Sequence, residues 1–369
     1  MSIRNVKIKN YKCFQDESIE LSKLTVLTGR NSAGKSSFIQ SLLLYELSGK
    51  NKRIYTNDIF GLNLGLPSKL INFTDNSIDL DSSGQEFQIS IDDKISKFSI
   101  EEERFSENYL STVADERNEK IFYYINAERF GPRISQMIEK TDVEDVGSFG
   151  QNTLFVLDRV NVKYRALKFP TAMKKSNGGF KNECEYWVNK IIDDVQFEVF
   201  VNDDLGVSSL RFKENGMDVL PTNVGFGISY ILPIIVQGLY LSVLNNEDKQ
   251  DKQDKKERVL IVENPEAHLH PYGQSQIGQF LAELSHKGGV QVIVETHSDH
   301  VINGMRLYTL KQKCVESDFR LYYFNKQDGR HEIISIGINE SGEIIDWPKG
   351  FFDQAKIDLF EMMKHRLGR

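Results

Sequence analysis

Residues 29–36 read Gly-Arg-Asn-Ser-Ala-Gly-Lys-Ser, a full match to G-x-x-x-x-G-K-[ST], and no other segment restricts the fold so tightly. The loop follows the apolar run Leu24–Thr28 and precedes Phe38, Ile39, Leu42, Leu43 and Glu46 at helical spacing. Strand, glycine turn and helix are the context such a loop needs. The glycines let the backbone fold into a nest whose N–H groups face phosphate oxygens, and the helix adds its positive dipole end. Lys35 supplies a cation for the β- and γ-phosphates, and the Ser36 hydroxyl ligates Mg²⁺. The candidate nucleotide-binding stretch is Gly29, Arg30, Asn31, Ser32, Ala33, Gly34, Lys35, Ser36 and Ser37.

The 369 residues suffice for one large α/β domain, or for a core with an inserted lobe. Forty per cent apolar residues describe an ordinary globular chain, and a net charge of −7 advertises no polyanionic partner. Cys13, Cys184 and Cys314 lack metal-ligand spacing and read as reduced cysteines of a cytoplasmic protein. The N-terminus has no secretory apolar segment. The longest apolar stretch, 228–244, is broken by Pro233, Gln237, Gly238 and Ser242, which predicts a buried helix and no membrane.

Along the chain, Ile3, Val6 and Ile8 open a β-type segment, and short β runs dominate 72–126, with Phe87, Ile89 and Ile91 alternating. Residues 101–120 are polar and read as a solvated helix or loop. The 140–190 segment is weakly patterned, with a helix near Tyr186–Ile192. Val195, Phe197, Val199 and Val201 begin a second β unit that turns at Asn215-Gly216. The mixed-charge run 245–258 reads as a solvated loop. The last third alternates strand and helix, which implies a parallel sheet covered by helices, before a hairpin around Asp328-Gly329 and a final helix after Phe352.

Val259-Leu260-Ile261-Val262-Glu263 is an apolar strand ending in a carboxylate, which can hold Mg²⁺ through its water shell from a strand beside the loop strand. It continues Asn264-Pro265-Glu266-Ala267-His268-Leu269-His270-Pro271. A later strand, Val292-Ile293-Val294-Glu295, leads into Thr296-His297-Ser298. In this order the three motifs resemble the ABC-type ATPases of the RecF, SMC and OLD-nuclease group. That resemblance covers about residues 1–325. It implies a head that forms a homodimer around two ATP molecules, with His297 as the switch histidine at the γ-phosphate. It also implies that Gly225, Gly227 and Ser229, before a long apolar helix, are the signature segment capping the nucleotide of the opposite subunit. The wording differs from the family's usual Leu-Ser-Gly-Gly.

A second departure bears on catalysis. Relatives carry Asp-Glu where this chain has Glu263-Asn264, and an amide cannot accept a proton at neutral pH. Three readings stay open. Glu266 acts as base; or His297 shares the task while Asn264 positions the water; or turnover is slow and ATP works mainly as a dimer switch. The missing Q-loop glutamine has only Gln88 as a candidate. Residues 259–271, 124–133 and 346–353 are similar to one branch of bacterial ATPases with a short C-terminal domain of unknown function, often neighbours of anti-phage or DNA-modification genes. Arg129 and Arg133, in the second of these, reach either a phosphate or partner subunit, or serve packing.

The expected fold class is α/β: an ABC-ATPase head with a P-loop parallel or mixed sheet core, an antiparallel β subdomain and a helical signature lobe. The head is expected over 1–325 with a β-rich and helical insertion about 72–220, followed by a short hairpin and helix tail, 326–369. The implied function is ATP hydrolysis with Mg²⁺ in a switch or sensor subunit of an anti-phage defence or DNA-processing complex. A separate effector protein, a nuclease or other toxin, would be its partner. The alternative is a RecF-like DNA-binding ATPase of repair or recombination, in which nucleic acid is the partner. About 190 residues separate the loop from the signature segment without heptads, leaving no long coiled coil. Fewer than 75 follow His297, too few for a nuclease domain.

Overall fold

The computed structural model describes residues 2–72, 86–100, 109–117, 119–138, 145–163, 169–192, 195–214, 217–223, 225–250, 256–327, 330–339, 341–345, 348 and 351–367. The chain opens with strands β1 (Asn5–Tyr11), β2 (Phe14–Glu20) and β3 (Leu24–Gly29), then helix α1 (Lys35–Ser48). Strands β4 (Arg53–Tyr55), β5 (Glu86–Ile91), β6 (Lys94–Ile100), β7 (Tyr109–Val113), β8 (Phe122–Ile125) and β9 (Ser135–Met137) follow. Next come helices α2 (Thr153–Lys163) and α3 (Phe180–Ile191), strands β10 (Gln196–Asn202), β11 (Val207–Glu214) and β12 (Met217–Val219), and the long α4 (Phe226–Gln250). The last third is β13 (Val259–Glu263), α5 (Pro271–His286), β14 (Gln291–Glu295), α6 (Asp299–Gln312), β15 (Phe319–Gln327), β16 (Arg330–Ile336) and α7 (Gln354–Leu367).

The central sheet has the order β16-β15-β3-β14-β13-β8, parallel throughout except for β16. Its strands are apolar on both faces because both are covered. Leu260, Val262, Val292 and Val294 pack with α4 and α5, while Val259, Ile261 and Ile293 pack with α1 and the outer sheet. That outer sheet, β2-β1-β5-β6-β7-β4, is wholly antiparallel, and a smaller sheet joins β9 to β12 near α2 and α3. Helix α4 is the one helix among the described residues long and apolar enough to cross a membrane, and 83% of that stretch is buried inside the fold.

Several expectations are corrected by this arrangement. Strand β13 is not beside β3, because β14 lies between them. Strand β8, within the 72–220 range, pairs with β13 in the central sheet, and β15 runs across position 325. The mixed-charge run is helical to Gln250, with Asn245 and Asp248 buried and Arg258 reaching the Asp248 carboxylate at 2.6 Å. Charge composition missed this because an ion pair lets both groups leave water together. Gln88 pairs with Lys9 and Lys97 in the outer sheet. Within 101–120, Arg117 donates to the Tyr45 carbonyl at 2.6 Å and covers the Tyr45 ring, so this part is anchored; residues 101–108 and 118 lie outside the described residues. So do the turns 215–216 and 328–329, whose flanking strands pair as hairpins, and residues 346–347 and 349–350 of the C-terminal motif.

Candidate functional site

The turn after β3 needs its glycines for space and for backbone angle. Gly29 has φ +131° and Gly34 φ +114°. A Cβ on Gly29 would lie 2.0 Å from the Phe324 carbonyl oxygen of β15, and one on Gly34 would lie 2.9 Å from Cys13 Sγ. Any other residue would collide or strain at both positions. Helix α1 begins at Lys35 with no side-chain cap, so its first amides stay free for an anion. Ala33 is buried, with its carbonyl oxygen 3.1 Å from His331 Nδ1, and half-buried Ser37 lies beside the Cys13 thiol.

A cavity of about 240 Å³ opens over the turn. Asn31, Ser32, Lys35 and Ser36 line it from the loop; Glu263, Asn264, Glu295 and His297 line it from the ends of β13 and β14, with Ala127 from the segment after β8. Lys35 is buried, and its Nζ donates to the carbonyls of Gly29 at 3.1 Å and Arg30 at 2.9 Å. The same Nζ stands 3.8 Å from Glu295 Oε1. Burial pushes the Lys35 ammonium below its ordinary range, and Glu295 opposes that.

Glu263 and Glu295 sit opposite one another in the β13–β14 register, both buried. Burial raises the Glu263 carboxyl, against the stabilising Ala127 amide and the Tyr124 hydroxyl beside it. Glu295 is pushed up to about 7, first by burial and then by the Glu263 charge, with Lys35 pulling the other way. Its Oε2 is buried without a hydrogen-bond partner, as is Asn264 Oδ1. Two adjacent carboxylates, Glu295 with an unspent oxygen atom, facing an uncapped helix end, form a surface that suits a metal-bound polyphosphate. In such a complex Lys35 and the α1 amides would hold phosphate oxygens, and Ser36 and Glu263 would hold Mg²⁺.

Glu266 is placed differently from a free base. Its Oε1 accepts from the His297 amide at 2.7 Å and its Oε2 from the Thr296 hydroxyl at 2.7 Å, so the carboxylate ties the acidic turn to the histidine loop. Ser298 then caps α6 through the Val301 amide. The His297 ring lines the cavity, and burial followed by the Lys35 charge lowers its pKa. Arg129 is buried behind the acidic strand, donating to the carbonyls of Asn126 at 2.8 Å, Glu263 at 2.7 Å and Asn264 at 2.7 Å. It serves packing. Arg133 lies over the Phe130 ring and, with half-buried Ser229, lines a separate cavity of about 30 Å³. Ser229 is in the first turn of α4, Gly225 is exposed with open space around it, and Gly227 packs against the His268 carbonyl.

Glu295 is the residue that sequence reasoning undervalued. Glu295 ends an apolar strand as Glu263 does, a signal that was present, but its nearness to Lys35 depends on strand order. Arg129 stood in the 124–133 segment, where the sequence left open a phosphate or partner contact or a packing role.

A family model described as an AAA ATPase domain matches residues 1–168 and 126–302, and a second, "Protein of unknown function (DUF3696)", matches 314–362. An ATP/GTP phosphatase of Helicobacter pylori is 43% identical over 56 residues, which is 15% of this chain and 15% of that protein. The match therefore spans a small part of the relative's length. A crystal structure of the SmcHead bound to the C-winged helix domain of ScpA aligns with a TM-score of 0.56 at 12% identity, covering 92% of this chain and 99% of that one. An Smc head with an extended coiled coil, bound to the C-terminal domain of ScpA derived from Pyrococcus furiosus, gives 0.51 at 11% identity over 98% and 100%. At such identities the likeness is one of fold. By its family match over most of its length, the chain belongs to the AAA ATPase domain family, with a phosphate loop set in the fold of an Smc head.

Proposed function

We propose that this chain binds ATP with Mg²⁺ in the cavity over Lys35, hydrolyses it slowly, and uses the bound state as a switch. The observation that carries the reading is the meeting of Lys35, Ser36, Glu263 and His297 around one cavity at the uncapped start of α1. Lys35 and the loop amides bind and orient the triphosphate. Ser36 and Glu263 hold the metal, which when bound neutralises charge on the β- and γ-phosphates. His297, held by Glu266, faces the γ-phosphate. A second copy presents Gly225, Gly227 and Ser229 to complete the pocket, giving a homodimer with two ATP molecules between its heads.

On this reading the closed dimer signals to a separate effector in an anti-phage defence or DNA-processing complex. Helix α7 suits such a role, because Ile357, Leu359, Phe360, Met362 and Met363 are all about half exposed. Titrating a fluorescent ATP analogue with Mg²⁺ tests the site. Lys35→Ala should weaken binding by about 100-fold, the scale expected when one partner of a buried charge pair is truncated. Unchanged affinity and turnover in that variant would remove the assignment.

A further inference from the structure

We propose that Glu295 is the catalytic base, receiving the proton of the water that attacks the γ-phosphate. The inference rests on the ATPase reading above and names a residue for the role that Asn264 cannot fill.

The other candidates are each committed elsewhere. Asn264 carries an amide, and its backbone N–H is already given to the Glu295 carbonyl at 2.8 Å. Both Glu266 oxygen atoms accept hydrogen bonds from the Thr296–His297 loop at 2.7 Å. Glu263 Oε2 faces the Ala127 amide at 3.4 Å, and its strand is the second from β3. Neighbouring strands are spaced about 4.8 Å apart, so Glu263 stands roughly 10 Å across the sheet from the loop strand and Glu295 about half that. Glu295 is also the only one of these carboxylates within 4 Å of Lys35 Nζ among the described residues. One of its oxygens meets Lys35, and the other is buried, unpartnered and at the cavity wall.

The step balances without a further reactant. The water oxygen bonds to the γ-phosphorus, and the bond from that phosphorus to the bridging oxygen breaks, its electron pair leaving on ADP. The water proton passes to Glu295 Oε2 and then to the departing phosphate.

Single-turnover hydrolysis and nucleotide binding, measured on the full chain, separate the possibilities. Glu295→Gln should retain ATP within about threefold of wild-type affinity yet hydrolyse it at least about 100-fold more slowly, so that unhydrolysed ATP is recovered from the purified complex. Hydrolysis by Glu295→Gln at the wild-type rate overturns the proposal, as does a loss confined to His297→Ala. A roughly tenfold rise in the Mg²⁺ needed for nucleotide binding would identify a metal ligand and overturn it too. Absence of nucleotide binding by the wild-type chain would defeat the underlying ATPase reading, a result distinct from failure of Glu295→Gln alone.

Discussion

Lys35 has three partners within the fold itself: two loop carbonyls and the Glu295 carboxylate. An arriving triphosphate competes for the same ammonium, and its metal offsets the charge that Glu263 and Glu295 impose on each other. Before it arrives, the cheapest relief is a proton on Glu295, whose pKa of about 7 lies above the ordinary 4.5. The folded chain therefore binds more protons than the unfolded one between those two values. By linkage, this group's stability contribution is full below pH 4.5 and is lost as pH rises through 7. Urea melts of nucleotide-free protein should show Glu295→Gln gaining on wild type by roughly 3 kcal/mol between pH 4.5 and 8. A difference that stays flat across that window would contradict the raised carboxyl.

At the scale of elements, the phosphate loop is held by its neighbour strand as much as by its own glycines. The Arg30 amide donates to the Phe324 carbonyl at 3.2 Å, and Gly29 lies against the same peptide. Gly29→Ala combines a positive φ with a steric overlap against backbone, so β3 and β15 must part. Its expected cost is about 3 kcal/mol or more in chemical denaturation, with loss of nucleotide binding. Gly225→Ala is the matched control. Nothing lies within 4 Å of its would-be Cβ, so stability should change by less than about 0.5 kcal/mol.

Across the whole molecule, the acidic turn and the start of α4 form one packed unit. The His268 ring meets Phe226 at 5.4 Å and Tyr230 at 4.5 Å between centroids, and Arg129 lies over Tyr230 while gripping the β13 end. A shift of the Glu263–Asn264 turn on nucleotide binding would therefore press on the helix that carries Ser229. This link makes the two-copy assembly testable. With a non-hydrolysable ATP analogue, light scattering should register a doubled mass, and Ser229→Arg should keep the chain monomeric while leaving nucleotide binding within about threefold. A wild-type species that remains single at saturating analogue would count against the sandwich.

How much was legible beforehand follows from how local each feature is. The loop, its strand and its helix could be read because Gly29, Gly34, Lys35 and Ser36 are close in sequence and their chemistry is set by spacing. The buried strands were legible because Val259–Val262 and Val292–Val294 are apolar on both faces, as a covered parallel sheet requires. Strand order was not legible, since parallel neighbours are joined by crossovers and pair far apart in sequence. That order alone inserts β14 between β3 and β13 and brings Glu295 to Lys35. It also spends Glu266 on the histidine loop and hides Arg129 behind the acidic turn. Sequence by itself determined that a phosphate loop and an acidic strand would share one sheet. Tertiary structure decided which carboxylate stands beside the lysine, because register between distant strands is set by the packing of the whole core.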